Sequence, residues 1–192
     1  NLYRVTRTIY DDADPASPTY AVARTEDWLI DAIGNRTKVY AKSSTATDYL
    51  YNPVNEYTSV GGTTHEYDAA GNLTKDATYT YEWDYENRLT KVRLASDSSS
   101  VASYTYDATM RRIEKIDESA EPDETTRFVL DNWSVIEERD GDDTLVAEYV
   151  NGASIDEPIV MTRDSTDYWY MQTALNGSVA ALVDSNGAVQ EG

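Results

Sequence analysis

From Tyr79 to Tyr85 the chain alternates without a break, with Tyr79, Tyr81, Trp83 and Tyr85 on one side and Thr80, Glu82 and Asp84 on the other. Alternation with a period of two is the signature of a β-strand, so this run predicts a strand with an aromatic face. Loop residues follow, in which an Asp can accept from the backbone two residues on and an Asn or Gly stands where the chain must pass through positive φ. A further strand completes a hairpin, and the hairpin recurs. Tyr67-Asp68-Ala69-Ala70-Gly71-Asn72-Leu73-Thr74 returns as Trp83-Asp84-Tyr85-Glu86-Asn87-Arg88-Leu89-Thr90, with further copies over 28–37, 49–58 and 104–113.

The anchors of these copies, Asp31, Asn52, Asp68, Asp84 and Asp107, lie 16 to 23 residues apart. Such spacing is too uneven for a strict solenoid and suits successive hairpins of variable loop length. The turn-closing positions are Gly34, Asn55, Gly71 and Asn87, each expected at positive φ. In the last copy that position is Met110, a bulky residue strained at positive φ, which predicts a loop of a different type. A long antiparallel strip twists and has to curl to bury its aromatic face, so the fold class is all-β: a hairpin strip curling into a shell or wide barrel. Sixteen Tyr against one Phe agree with a hollow interior, because a Tyr ring packs on its neighbours while its hydroxyl still reaches a polar partner.

Loops are expected at 11–18, 95–100 and 117–126, where Asp, Ser, Pro and Glu accumulate. Beyond them, Phe128 to Leu130 and Val135 to Glu137 read as paired strands with a turn at Gly141. The final segment reads as strands broken by turns at Asn176-Gly177 and Asn186-Gly187.

The stretches EYDAAGNLTKD, YEWDYENRLTKV and YTYDATMRRIEKI resemble YD repeats of the Rhs type. The tail, from Tyr168-Trp169-Tyr170 through Gly177-Ser178-Val179, Asp184, Gly187 and Val189, resembles the start of the Rhs repeat-associated core, with Asn176 as an extra residue. The resemblance divides the chain into an N-terminal strand and loop region at 1–27, YD repeats at 28–116, and the start of the core at 117–192, continuing the same sheet. It implies part of the β shell of a large bacterial secreted or cell-surface protein, a shell that often encloses a C-terminal toxin and is shared by teneurins and insecticidal toxin complexes. The self-cleaving Asp-Pro-x-Gly motif of the family has no counterpart, since Asp14-Pro15 is followed by Ala16-Ser17.

Charge narrows the partners. Thirty-five acidic against sixteen basic residues give a net charge of -19, which repels nucleic acid and anionic membranes. A mean hydropathy of -0.62 points to a thin core, as a layered β structure has. Without cysteine there is no disulfide framework or thiolate metal site. No run has the length of a membrane-spanning helix and the first residues lack a signal-peptide pattern; the chain opens in mid-pattern and reads as a piece of a longer protein. His65 is the one imidazole, too little for a catalytic constellation. Asp11-Asp12 with Asp14, and Asp140 with Asp142-Asp143, lack the ligand count of a Ca²⁺ loop and read as solvated turns. Four Asn-x-Ser/Thr triplets, at Asn35, Asn72, Asn132 and Asn176, read as turn chemistry.

The expectation is therefore a non-enzyme without cofactor or metal, with Tyr79, Tyr81, Trp83 and Tyr85 as a buried ladder. Its partners are flanking YD-repeat chain or identical copies, paired through the edges near Leu2–Tyr10 and the final hairpin, and a possible encapsulated toxin. The alternative is a surface adhesin or filament subunit that binds glycans through exposed aromatics or self-associates.

Overall fold

The computed structural model describes residues 6–9, 25–154, 157–172 and 178–191. A first sheet contains, in chain order, β1 (Arg7–Ile9), β2 (Thr25–Ile30), β3 (Arg36–Ala41), β4 (Thr47–Tyr51), β5 (Tyr57–Val60) and β6 (Thr63–Thr64). A second begins with β7 (Glu66–Tyr67), β8 (Leu73–Lys75), β9 (Tyr79–Trp83), β10 (Leu89–Leu94), β11 (Ser100–Tyr106), β12 (Arg112–Asp117) and β13 (Glu124–Asp131). It continues through β14 (Ser134–Arg139), β15 (Leu145–Asn151), β16 (Pro158–Arg163), β17 (Thr166–Gln172), β18 (Val179–Val183) and β19 (Val189–Glu191). Each sheet is an open antiparallel meander in which every strand pairs with its neighbours in sequence. The all-β hairpin strip expected from the alternation is what forms, and β12 to β19 carry the second sheet through the C-terminal region. The break at His65, between β6 and β7, lies inside the repeat region.

By packing, the chain groups into two compact units, Asn1–Tyr81 with Ala95–Asp97 and Glu82–Leu94 with Ser98–Gly192. In the first unit Val39 and Thr25 are buried. In the second, opposed residues of antiparallel strands share a face, so the register places Glu138, Ala147 and Arg163 in one row and Tyr149, Met161 and Tyr168 in the next. Val92 opposes Ala102 in the same way. Val92, Ala102, Ala147 and Met161 are the buried apolar residues of this unit, Ala147 being only 1% exposed. Tyr149 and Tyr168 flank Met161, and the few buried residues make a single thin core layer.

Two expectations are corrected here. Tyr85 does not belong to the buried ladder: β9 ends at Trp83, Asp84 opens the turn, and Tyr85 is 90% exposed. Period-two alternation cannot run through a turn, so its side chain points away from the sheet. Met110 sits at φ 71° in a loop of the same type as its relatives, not a different one. The N-terminal stretch 11–18, with Asp11, Asp12 and Asp14, and the Asn176-Gly177 turn lie outside the described residues, as does most of Leu2–Tyr10.

Candidate functional site

The recurring turn is the chemical unit of the molecule. At Asp68 the backbone N–H donates to the Asn72 carbonyl at 3.0 Å, and the Gly71 N–H donates back to the Asp68 carbonyl at 3.1 Å. The Asp68 carboxylate accepts from the N–H groups of Ala70 and Asn72, each at 2.9 Å, which satisfies donors the hairpin would otherwise leave open. This is a type I turn closed by a left-handed residue. Gly34, Asn55, Gly71 and Asn87 all occupy the closing position, with φ of 111°, 67°, 86° and 62°.

The same bonds form around Asn52, Asp84 and Asp107. They form again at Asp140 and Asp184, where Asp143 and Gly187 close the turns at φ 67° and 77°. Sequence reading took these two as turns and not as copies of the repeat. The plain Asp-x-x-Gly spacing of Asp184 to Gly187 was the available signal. At Asp31 one carboxylate oxygen takes the N–H groups of Ile33, Gly34 and Asn35 together.

A complementary side chain completes most turns. Asn35 and Asn72 donate their amides to Asp31 and Asp68, while Arg88 and Arg111 donate Nε to Asp84 and Asp107 at 2.6 and 2.7 Å. Where the anchor is Asn52, its amide donates to Glu56 at 2.6 Å, so the polarity inverts and the bond survives. These bonds act on the acids. Asp31 is pulled down to about 2, first by the Tyr51 hydroxyl and then by backbone donors. The Asn72 amide and backbone lower Asp68. For Asp84 and Asp107, desolvation pushes upward, and the N–H and guanidinium donors of Arg88 and Arg111 more than offset it.

An aromatic residue stands just before four of the seven anchors, Asn52, Asp68, Asp84 and Asp107, and where it is Tyr its hydroxyl explains why the two recur as a pair. Tyr67, preceding Asp68, donates its hydroxyl to the Tyr57 carbonyl beside the previous turn at 3.0 Å. Tyr106, preceding Asp107, donates to Leu89 O at 2.8 Å, again just beyond the previous turn. Tyr51, preceding Asn52, reaches Asp31. The Asp builds its own turn and the Tyr staples it to the one before. Further links run along the same edge: Asn35 donates to Asn55 at 2.9 Å, Arg88 to the Asp107 carbonyl at 3.2 Å, and Arg111 to the Asn132 carbonyl. Arg88 also lies over the Tyr106 ring, 5.1 Å from its centroid.

Of the ladder residues, Tyr79, Tyr81 and Trp83 are half-buried, and Tyr81 donates to Asp76 at 2.6 Å. His65 makes a 3.1 Å contact from Nδ1 to the Thr63 carbonyl. Asp76, whose charge reaches His65, is already engaged by Tyr81. On the tyrosine face of the second unit, a hollow of about 960 Å³ is lined by Arg112, Phe128, Glu138, Tyr149, Tyr170 and Gln172 among others. Arg112 is held between Tyr104 and Phe128, at 5.6 and 5.1 Å from their centroids. Tyr149 donates to Glu138 at 2.9 Å, and Arg163 approaches the same carboxylate at 3.5 Å. Burial first, and then the Glu138 carboxylate, push the Tyr149 hydroxyl upward. This face is a layer of rings with satisfied polar tips around open space.

The model of the teneurin YD-shell matches residues 21–191. The chain belongs to the teneurin YD-shell family. Among curated proteins it is 32% identical over 165 residues to the tRNA3(Ser)-specific nuclease WapA of Bacillus spizizenii, which covers 84% of this chain and 7% of that protein. It is 31% identical over 166 residues to the tRNA nuclease WapA of Bacillus subtilis, with the same coverage. Among solved structures, the Photorhabdus luminescens Tc holotoxin pore matches with a TM-score of 0.60 at 18% identity, over 86% of this chain and 9% of that one. The TcdB2-TccC3 crystal structure without its hypervariable C-terminal region matches with a TM-score of 0.57 at 15% identity, with the same coverage. At that identity the likeness concerns the fold. The chain is a YD-repeat shell segment, and it spans under a tenth of the relatives it matches. The Tyr-staple and Asp-turn pair gives the repeat's two defining letters a physical meaning.

Proposed function

We propose that this segment is a non-catalytic stretch of wall in a longer secreted or cell-surface protein, whose YD-repeat shell encloses a C-terminal toxin or effector. The observation that carries the reading is the anchored turn made seven times among the described residues, six times on Asp and once on Asn52, with Tyr and Arg staples between several successive copies. Carboxylates held this way serve the backbone, and an acid whose oxygens are filled by N–H donors is poorly placed for proton transfer. The nuclease activity named for the WapA relatives is assigned here to parts of those proteins outside the matched segment. An adhesin would present its aromatic row to solvent; Tyr79, Tyr81 and Trp83 are instead half-buried, which supports the shell.

Limited proteolysis of the natural full-length polypeptide tests the proposal. The C-terminal region is expected to resist protease in the intact protein and to become cleavable when Asp84→Ala and Asp107→Ala loosen the wall. Equal digestion rates in both proteins would contradict enclosure.

A further inference from the structure

The face of the second unit opposite the tyrosines carries an apolar row that a wall facing water does not need. Register aligns Val150, Val160, Trp169, Val183 and Val189 directly across β15 to β19. Val150 is 57% exposed, Trp169 37% and Val189 64%; Met171, two residues along β17 from Trp169 on the same face, is 51% exposed. An antiparallel sheet with one solvated face alternates apolar with polar, whereas here the Tyr149, Met161 and Tyr168 row fills one face and this row the other. Sheets apolar on both faces are covered on both, and a contiguous apolar strip marks a contact surface.

Charge restricts what covers it. Two residues along the strands, the adjacent row on the same face is Glu148, Thr162 and Asp167, with both acids exposed. Arg139 is bonded to Glu137, which stands opposite Glu148, and its charge reaches Glu148, but Glu137, Glu148 and Asp167 together leave this flank net acidic. A complement therefore has an apolar strip with basic side chains along one flank. A second copy of this chain is a poor fit, since its net charge of -19 would set acid against acid. The matched segment is 7% of the WapA relatives, so a chain of that kind has ample polypeptide elsewhere to supply the strip.

We infer that the Val150–Val160–Trp169–Val183–Val189 row is a docking surface for an apolar, basic-flanked segment of the same longer polypeptide, from outside these 192 residues. The inference goes beyond the wall role, because it gives the face opposite the tyrosines its own intramolecular partner. The three methionines of the chain form a built-in ruler: Met110 is 54% exposed in its turn, Met161 is 7% exposed, and Met171 is 51% exposed beside the row.

The test is methionine oxidation by hydrogen peroxide in the natural full-length polypeptide, read residue by residue by mass spectrometry. Met171 is expected to oxidise at least about tenfold more slowly than Met110, close to the rate of Met161, at every protein concentration; guanidinium should abolish the difference. Met171 oxidising as fast as Met110 would show an open face and overturn the inference. Protection that fades on dilution would also overturn it, because a second copy or separate partner would then be the cover. Trp169→Glu should release Met171 while Met161 stays slow; a general loss of structure would speed both. Unchanged protection of Met171 in that variant would likewise contradict the inference. These outcomes are independent of whether a C-terminal region is protected from protease.

Discussion

Asp107 accepts four hydrogen bonds: from the N–H and hydroxyl of Thr109, and from the N–H and Nε of Arg111. That set outweighs the cost of holding Met110 at φ 71°, which is why the strain expected there does not change the loop. The anchors make stability depend on acid. Their folded pKa values are depressed, so their contribution is fully present above the unfolded value of about 4 and is lost as pH falls through the folded value. Asp84→Asn with Asp107→Asn removes this term while keeping an acceptor, as Asn52 does naturally. At pH 7 the double variant should melt below the wild type, and the gap should shrink as pH drops below about 4. Taking the difference cancels the general relief of repulsion among the other carboxylates. A gap independent of pH would contradict the assignment. The Tyr staple has its own test: Tyr106→Phe should cost about 1 kcal/mol by losing the bond to Leu89 O, while Tyr85→Phe costs nothing measurable. Thermal melts of the two variants decide it. The turn-closing residues were legible because Asp or Asn three residues before Gly or Asn is a chemical signature. The Tyr staples were not, because a hydroxyl bond between neighbouring hairpins leaves no local pattern.

At the scale of strands, alternation predicted β9 correctly up to Trp83 and failed at Tyr85, where the turn takes over. Alternation names a face but not what lies against it. The buried residues Ala102 and Ala147 were invisible to a reading led by aromatics, since a small apolar residue shows its burial only once the neighbouring strands are set beside it. The thin core makes its few buried members costly to lose. Met161, opposed to Tyr149 and Tyr168 and 7% exposed, is the clearest case. Met161→Ala should destabilise by about 2–3 kcal/mol, measured by denaturant unfolding, because the rings above cannot fully collapse into the gap. A loss below about 0.5 kcal/mol would mean that the tyrosine layer is loosely packed.

For the chain as a whole, the family and fold class were readable because the repeat writes the same turn over and over. The sheet break at His65 was not, since the hairpin pattern runs through it: Tyr57 and Tyr67 belong to adjacent copies in different sheets, joined by one hydroxyl. The apolar row opposite the tyrosines was also missed, because it becomes a row only when β15 to β19 are set in register. The central claim is that this segment is wall. Electron cryomicroscopy of the natural full-length polypeptide tests it most directly. The account predicts β7 to β19 as consecutive strands in the wall of a hollow shell, with the Tyr149, Met161 and Tyr168 face toward the enclosed space and the β7 and β19 edges paired to further strands. A map showing the same strands as an isolated arm, with both edges in solvent and no enclosed space, would contradict it.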